Sequence, residues 1–205
     1  MSVAARLWDE NTDLATAALD HPFVRGLSDG TLPQHTFAGY VAQDTFFLES
    51  FARAYALALA HSADRETLDA FADLLDGVRK ELRLHSSYAQ RLGIDPSGVE
   101  PGVATLAYTD FLLATAALGS IALTCAAMTP CMRLYAHLGT SLATHSPTGY
   151  ADWITTYADP EFERLAVRLE DLLDLHAPHL ATVRSTYRRA MELELRFFDA
   201  ANRYA

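Results

Sequence analysis

Residues 111–132, "FLLATAALGSIALTCAAMTPCM", contain no charged side chain and are flanked by Asp110 and Arg133. A run of this length is either a membrane span or a piece of a fully buried helical core. Its alanine, threonine and glycine content, and the Leu118-Gly119-Ser120 step that can end one helix and cap the next, favour a pair of buried helices. Pro130 interrupts the second half of the run. Its missing amide and its ring clash predict a kink, or a restart that would leave Cys131 in a first helical turn.

The rest of the chain reads as helix almost everywhere, because apolar residues recur at three- and four-residue steps and no stretch of five or more alternates as a half-buried strand does. Helices are expected over about 3–20, 33–62, 64–92, 103–144 as the apolar pair, 148–157 and 159–176, with a last one opened by Pro178 and running to the carboxyl terminus. Pro22 ends the first, "SDGTLP" forms a turn, and "GIDPSG" and "HSPTG" are loops. No internal repeat or long linker divides the 205 residues. The expected fold class is an all-α, single-domain bundle of seven or eight helices covering residues 1–205.

Charge and cysteine usage narrow the function. Sixteen basic residues against twenty-six acidic ones leave a net charge of −10, which repels a phosphate backbone, so no nucleic-acid partner and no membrane partner is expected. Cys125 and Cys131 are the two cysteines. Six residues apart on one helix, they are separated by about 9 Å of rise, too far for a disulfide. Both are therefore expected as free thiols in a reducing compartment, and the amino terminus has no signal-peptide pattern, so a cytoplasmic location is expected.

Helical phase turns two carboxylates inward. Tyr187, Ala190, Met191, Glu194, Phe197, Phe198 and Ala201 share one face, with Glu194 in the middle of the stripe, whereas Glu192 falls opposite, with Arg188 and Arg196 as ion-pair partners. Tyr40, Asp44, Phe47, Leu48, Phe51 and Tyr55 share another face and surround Asp44 with aromatics. A buried carboxylate must be paired, hydrogen-bonded or protonated, and desolvation raises its pKa toward the range of a general acid. Structural hydrogen bonding explains either residue alone; two such stripes together indicate a polar-floored pocket for a small, flat molecule. Cys131 fits two readings, a small core residue or a nucleophile activated by a restarted helix. Cys125, with no proline or polar neighbour, reads as core.

The segments "HPFVRGLSDGTLP", "YVAQDTFFL", "ELRLH", "AYT" at 107–109, "PCMRLY", "YADWITTYADPEF" and "ELELRFF", in this order and spacing, resemble the TenA family of thiamin-related hydrolases, thiaminase II or aminopyrimidine aminohydrolase, in its cysteine-containing class. The resemblance implies a haem-oxygenase-like bundle, a homotetramer, no cofactor and no metal. It implies Cys131 as the nucleophile that adds to a pyrimidine ring and Glu194 as the acid and base acting on the leaving amine and the incoming water. Asp44 would hold the aminopyrimidine edge, Tyr108, Tyr135 and Tyr157 would line the pocket, and Phe197 would stack on the ring. Where the family commonly carries a tyrosine that activates the thiol, this chain has Phe47. The implied reaction converts 4-amino-5-aminomethyl-2-methylpyrimidine to its 5-hydroxymethyl product, with cleavage of thiamin by the same steps, in thiamin salvage.

Three other classes compete with this reading. A metal-dependent carboxylate oxidase on a helical bundle needs inward Glu-x-x-His pairs, and the chain offers only Glu81 with His85 at four-residue spacing, read as an ordinary helix-face contact. Haem binding needs a proximal histidine, and His21 lies at a turn before Pro22. A non-catalytic pyrimidine-binding or regulatory relative is the remaining alternative, and Phe47 is the residue that suggests it.

Overall fold

The computed structural model describes residues 1–93, 100–143, 149–177 and 181–201, and among these it contains helices and no strand. The helices are α1 (Val3–Asp9), α2 (Thr12–Leu19), α3 (Pro22–Asp29), α4 (Gln34–His61), α5 (Arg65–Leu92), α6 (Val103–Ala117), α7 (Ile121–Leu142), α8 (Ala151–Tyr157), α9 (Pro160–His176) and α10 (Ala181–Ala201). Most of the expected loop "GIDPSG" and of "HSPTG", and the Pro178 helix start, fall outside the described residues.

Two differences from the sequence reading lie near the amino terminus and raise the helix count to ten among the described residues. The single helix expected over 3–20 is broken because the Asn11 side chain donates to the Leu7 carbonyl at 2.8 Å, a local bond that competes with the helical ladder. Pro22 does not merely end a helix. It occupies the first turn of α3, where its missing amide costs nothing, and His21 caps that turn by accepting the Phe23 amide through Nδ1 at 3.2 Å.

The uncharged run is two helices, as its composition suggested. Gly119 takes a left-handed φ of 76° between α6 and α7, a conformation open to glycine, and the Ser120 hydroxyl accepts the Leu123 amide to cap α7. Among the described residues no helix is long and apolar enough to cross a membrane. α7 is the central strut, packed against α4, α6, α8, α9 and α10, which is why it is apolar on nearly every side. It runs unbroken through Pro130. The expected restart therefore does not occur, and Cys131 has no free first-turn amides beside it. Close packing from several helices surrounds this part of α7, and Thr129 donates its hydroxyl to the Cys125 carbonyl at 2.7 Å just before the proline.

Candidate active site

Asp44 and Phe47 lie on α4, Tyr108 on α6, Cys131 and Tyr135 on α7, Tyr157 at the end of α8, and Glu194 and Phe197 on α10, and every one of them is buried. The structure brings them together. The Phe47 ring stands 4.8 Å from that of Tyr108 and 5.8 Å from that of Phe197, and Tyr135 and Tyr157 meet edge to face at 4.8 Å. Tyr108 donates its hydroxyl to Glu194 Oε1 at 2.6 Å, and the Cys131 thiol lies close enough to the same carboxyl to influence its protonation.

Burial sets the protonation of this cluster. It pushes the Glu194 carboxyl up to about 7, against the opposing Tyr108 hydrogen bond and the nearby Cys131 thiol. The Cys131 thiol is raised well above its usual value, first by burial and then by the facing carboxyls of Glu194, Glu81 and Asp44. This reverses the low-pKa thiolate that a restarted helix would have produced. The resting site holds a neutral thiol against a carboxyl that can take its proton. Cys125 is fully buried, and burial raises its thiol as well.

Asp44 is 3 % exposed, and its pKa is raised well above the ordinary value by burial, with Glu81 and Glu194 adding to the effect and the nearby Tyr40 hydroxyl opposing it. His85 Nε2 lies 3.3 Å from Asp44 Oδ2, while burial lowers the imidazole to about 4. Desolvation thus disfavours the ionised form of each partner, so the contact is a neutral pair rather than a salt bridge. Asp44 Oδ2 and His85 Nδ1 have no conventional hydrogen-bond partner among the described residues, leaving polar capacity beside the aromatic cluster.

The sequence reading missed three members of this constellation. Tyr40 accepts the Trp153 indole hydrogen at 3.3 Å and donates to the Tyr135 hydroxyl at 3.3 Å, so it ties α4 to α7 and α8. Glu81 and His85, read as a mutual helix-face contact, face different partners: Glu81 Oε1 accepts the Tyr157 hydroxyl at 2.6 Å, and His85 faces Asp44. Their four-residue spacing on α5 was the available signal. Glu192, by contrast, sits at the surface beside Arg188 and Arg189. Arg189 takes the place expected for Arg196.

Residues 8–204 match a family model described as the TENA/THI-4/PQQC family. The chain is 35% identical to a protein of Halalkalibacterium halodurans named aminopyrimidine aminohydrolase, over 98% of this chain and 96% of that one. Its fold is similar to a TenA homologue from P. horikoshii OT3, with a TM-score of 0.91 at 26% identity and all of both chains covered. A protein from Shewanella denitrificans OS217, described as having a heme oxygenase-like fold, superposes with a TM-score of 0.76 at 14% identity over 97% of this chain and 91% of that one, a likeness of fold alone.

Proposed function

Since this chain belongs to the TENA/THI-4/PQQC family, we propose that it is an aminopyrimidine aminohydrolase, converting 4-amino-5-aminomethyl-2-methylpyrimidine to the 5-hydroxymethyl product by covalent catalysis at Cys131. The same steps cleave thiamin with the thiazole as leaving group. The observation that carries the reading is the Tyr108 hydrogen bond to Glu194 with the Cys131 thiol beside the same carboxyl, which sets a nucleophile next to a base and the base against an orienting group.

As the sulfur attacks the ring carbon next to the one bearing the aminomethyl group, Glu194 takes the thiol proton. A neutral thiol becomes a nucleophile only at that moment, so the high resting pKa of Cys131 is compatible with reaction. The addition breaks the ring's aromaticity. Electrons from the ring and its amino group then form an exocyclic carbon–methylene double bond, the methylene–nitrogen bond breaks, and the substrate's ammonium nitrogen leaves with the bonding pair as ammonia. Water adds to the methylene and gives a proton to the carboxyl network, after which the carbon–sulfur bond breaks and the ring is restored. The balance is one water consumed and one ammonia released.

Asp44, kept protonated and backed by His85, holds the aminopyrimidine edge, where an un-ionised carboxyl can both donate and accept. Phe197 stacks on the ring, Phe47 packs against its edge, and Tyr108, Tyr135 and Tyr157 line the site. Excluding water from such a site strengthens each polar contact. The reading further assigns the chain to thiamin salvage in the cytoplasm, as one domain per chain in a homotetramer that sedimentation would reveal. Its direct test is ammonia release from the aminomethyl pyrimidine, measured beside thiamin cleavage; release of neither would reject it.

A further inference from the structure

Glu81 stands between the aromatic chamber and the protein surface. On one side its Oε1 holds the Tyr157 hydroxyl. On the other it lines a cleft of about 320 Å³ among α5, α8 and α9, walled by Leu84, Phe162 and Leu165, which also includes Met132, the residue after Cys131. The other charged groups around this cleft are Lys80, Asp159 and Glu161. Lys80 pairs with Asp76 at 3.4 Å, Glu161 pairs with Arg164 at 2.8 Å, and Asp159 caps α9 by accepting the Glu161 amide. Among the described residues no cation pairs with Glu81, so the cleft has an uncompensated carboxyl at its inner end and apolar walls beyond it.

Resting on the hydrolysis proposed above, the chemistry of the two substrates matches this arrangement. An aminomethyl group is an ammonium ion at neutral pH, since alkyl amines titrate near about 10, and thiamin carries a thiazolium on the same methylene. Each substrate therefore presents a cation where the bond must break, while the hydroxymethyl product is neutral there. Glu194 is already engaged by Tyr108. We propose that Glu81 is the counter-charge that recognises the cationic substituent to be expelled, and that the cleft it lines receives this leaving group. A small ammonium occupies only its inner end; a heteroaromatic ring extends between Leu84, Phe162 and Leu165. Tyr157 fixes the carboxyl in place from the side of the active-site residues.

Two variants test this. Dissociation constants for the aminomethyl and hydroxymethyl pyrimidines are measured by calorimetry in a Cys131→Ser background, with and without Glu81→Gln. The expected result is about tenfold weaker binding of the aminomethyl compound, the loss of one charge-assisted contact, with binding of the hydroxymethyl compound changed by less than about twofold. In the otherwise intact enzyme, Leu84→Trp, which narrows the cleft without touching the chamber, is expected to lower kcat/KM for thiamin about tenfold more than for the aminomethyl pyrimidine. Equal weakening of both pyrimidines by Glu81→Gln, or equal loss on both substrates in Leu84→Trp, would overturn the inference. An intact enzyme that hydrolyses neither substrate counts instead against the hydrolysis itself, and the binding ratio still reads the charge preference.

Discussion

Tyr108 donates its hydroxyl hydrogen to Glu194 Oε1 at 2.6 Å across the interface of α6 and α10, and this bond is the first of the two that oppose the effect of burial on the carboxyl. Glu194 must be ionised to accept the thiol proton. Activity should therefore fall as pH drops below about 7, the value to which burial raises this carboxyl. Removing the donor in Tyr108→Phe raises that pKa further, so the acidic limb of kcat/KM is expected to move to higher pH while the fold persists. A profile over pH 5–9 for both proteins measures it. An unmoved limb would assign the limb to another group.

Glu194 also makes a stability prediction of opposite sense to its catalytic one. Its carboxyl titrates near 7 when folded against 4.5 as its ordinary value, so the folded state binds protons more tightly. Its favourable contribution is complete below the unfolded pKa and is lost as pH rises through the folded one. Glu194→Gln, uncharged at every pH, should thus be more stable than the parent at pH 8, by on the order of 1–3 kcal/mol, and about equal to it at pH 4. Its turnover should drop by roughly two to four orders of magnitude. Glu192→Gln should alter neither. Urea denaturation at the two pH values, with steady-state rates, checks both effects, and a stability difference independent of pH would contradict the first.

Gly139 positions the end of α8. A Cβ built there collides with the backbone of Tyr157 and Ala158, atoms that can yield only if α8 moves off α7. Gly139→Ala is expected to cost about 1–3 kcal/mol as overpacking and to reduce turnover by displacing Tyr157 from Glu81. Denaturation midpoints and kcat are the readouts. A variant with parental stability and activity would show that α8 does not rely on this close approach.

Phe47 fills the position where a thiol-activating hydroxyl was expected from the family resemblance, and it packs among Phe51, Tyr108 and Phe197. Because the Cys131 proton already has an acceptor in Glu194, Phe47→Tyr should raise the rate by less than about tenfold, a smaller effect than the loss in Glu194→Gln. A larger gain in kcat, accompanied by a lower thiol pKa in iodoacetamide titration, would show that Glu194 alone does not activate the cysteine.

The helices and the inward faces of Asp44 and Glu194 were legible in the sequence because a 3.6-residue period fixes which side chains share a face. What the period does not carry is the identity of the partner across the interface. Glu81 and His85 were seen as neighbours on one helix, and their actual partners, Tyr157 and Asp44, come from α8 and α4. Tyr40 was placed on the right stripe, yet its bridging of Trp153 and Tyr135 depends on three helices at once. The restart offered at Pro130 did not occur, for a related reason. A proline breaks an isolated helix, but α7 is enclosed by five others, and their packing outweighs the local penalty. Asn11 erred the other way, as a side-chain bond to a carbonyl one turn back ended a helix that the apolar pattern continued.

The most direct measurement compares ammonia release from the aminomethyl pyrimidine by the parent chain, Cys131→Ser and Cys125→Ser, each confirmed folded by circular dichroism. Covalent catalysis at Cys131 predicts that Cys131→Ser loses nearly all turnover, at least about a thousandfold, while Cys125→Ser, altering a thiol outside the chamber, keeps most of it. Substantial turnover by folded Cys131→Ser, or equal losses in the two variants, would contradict it.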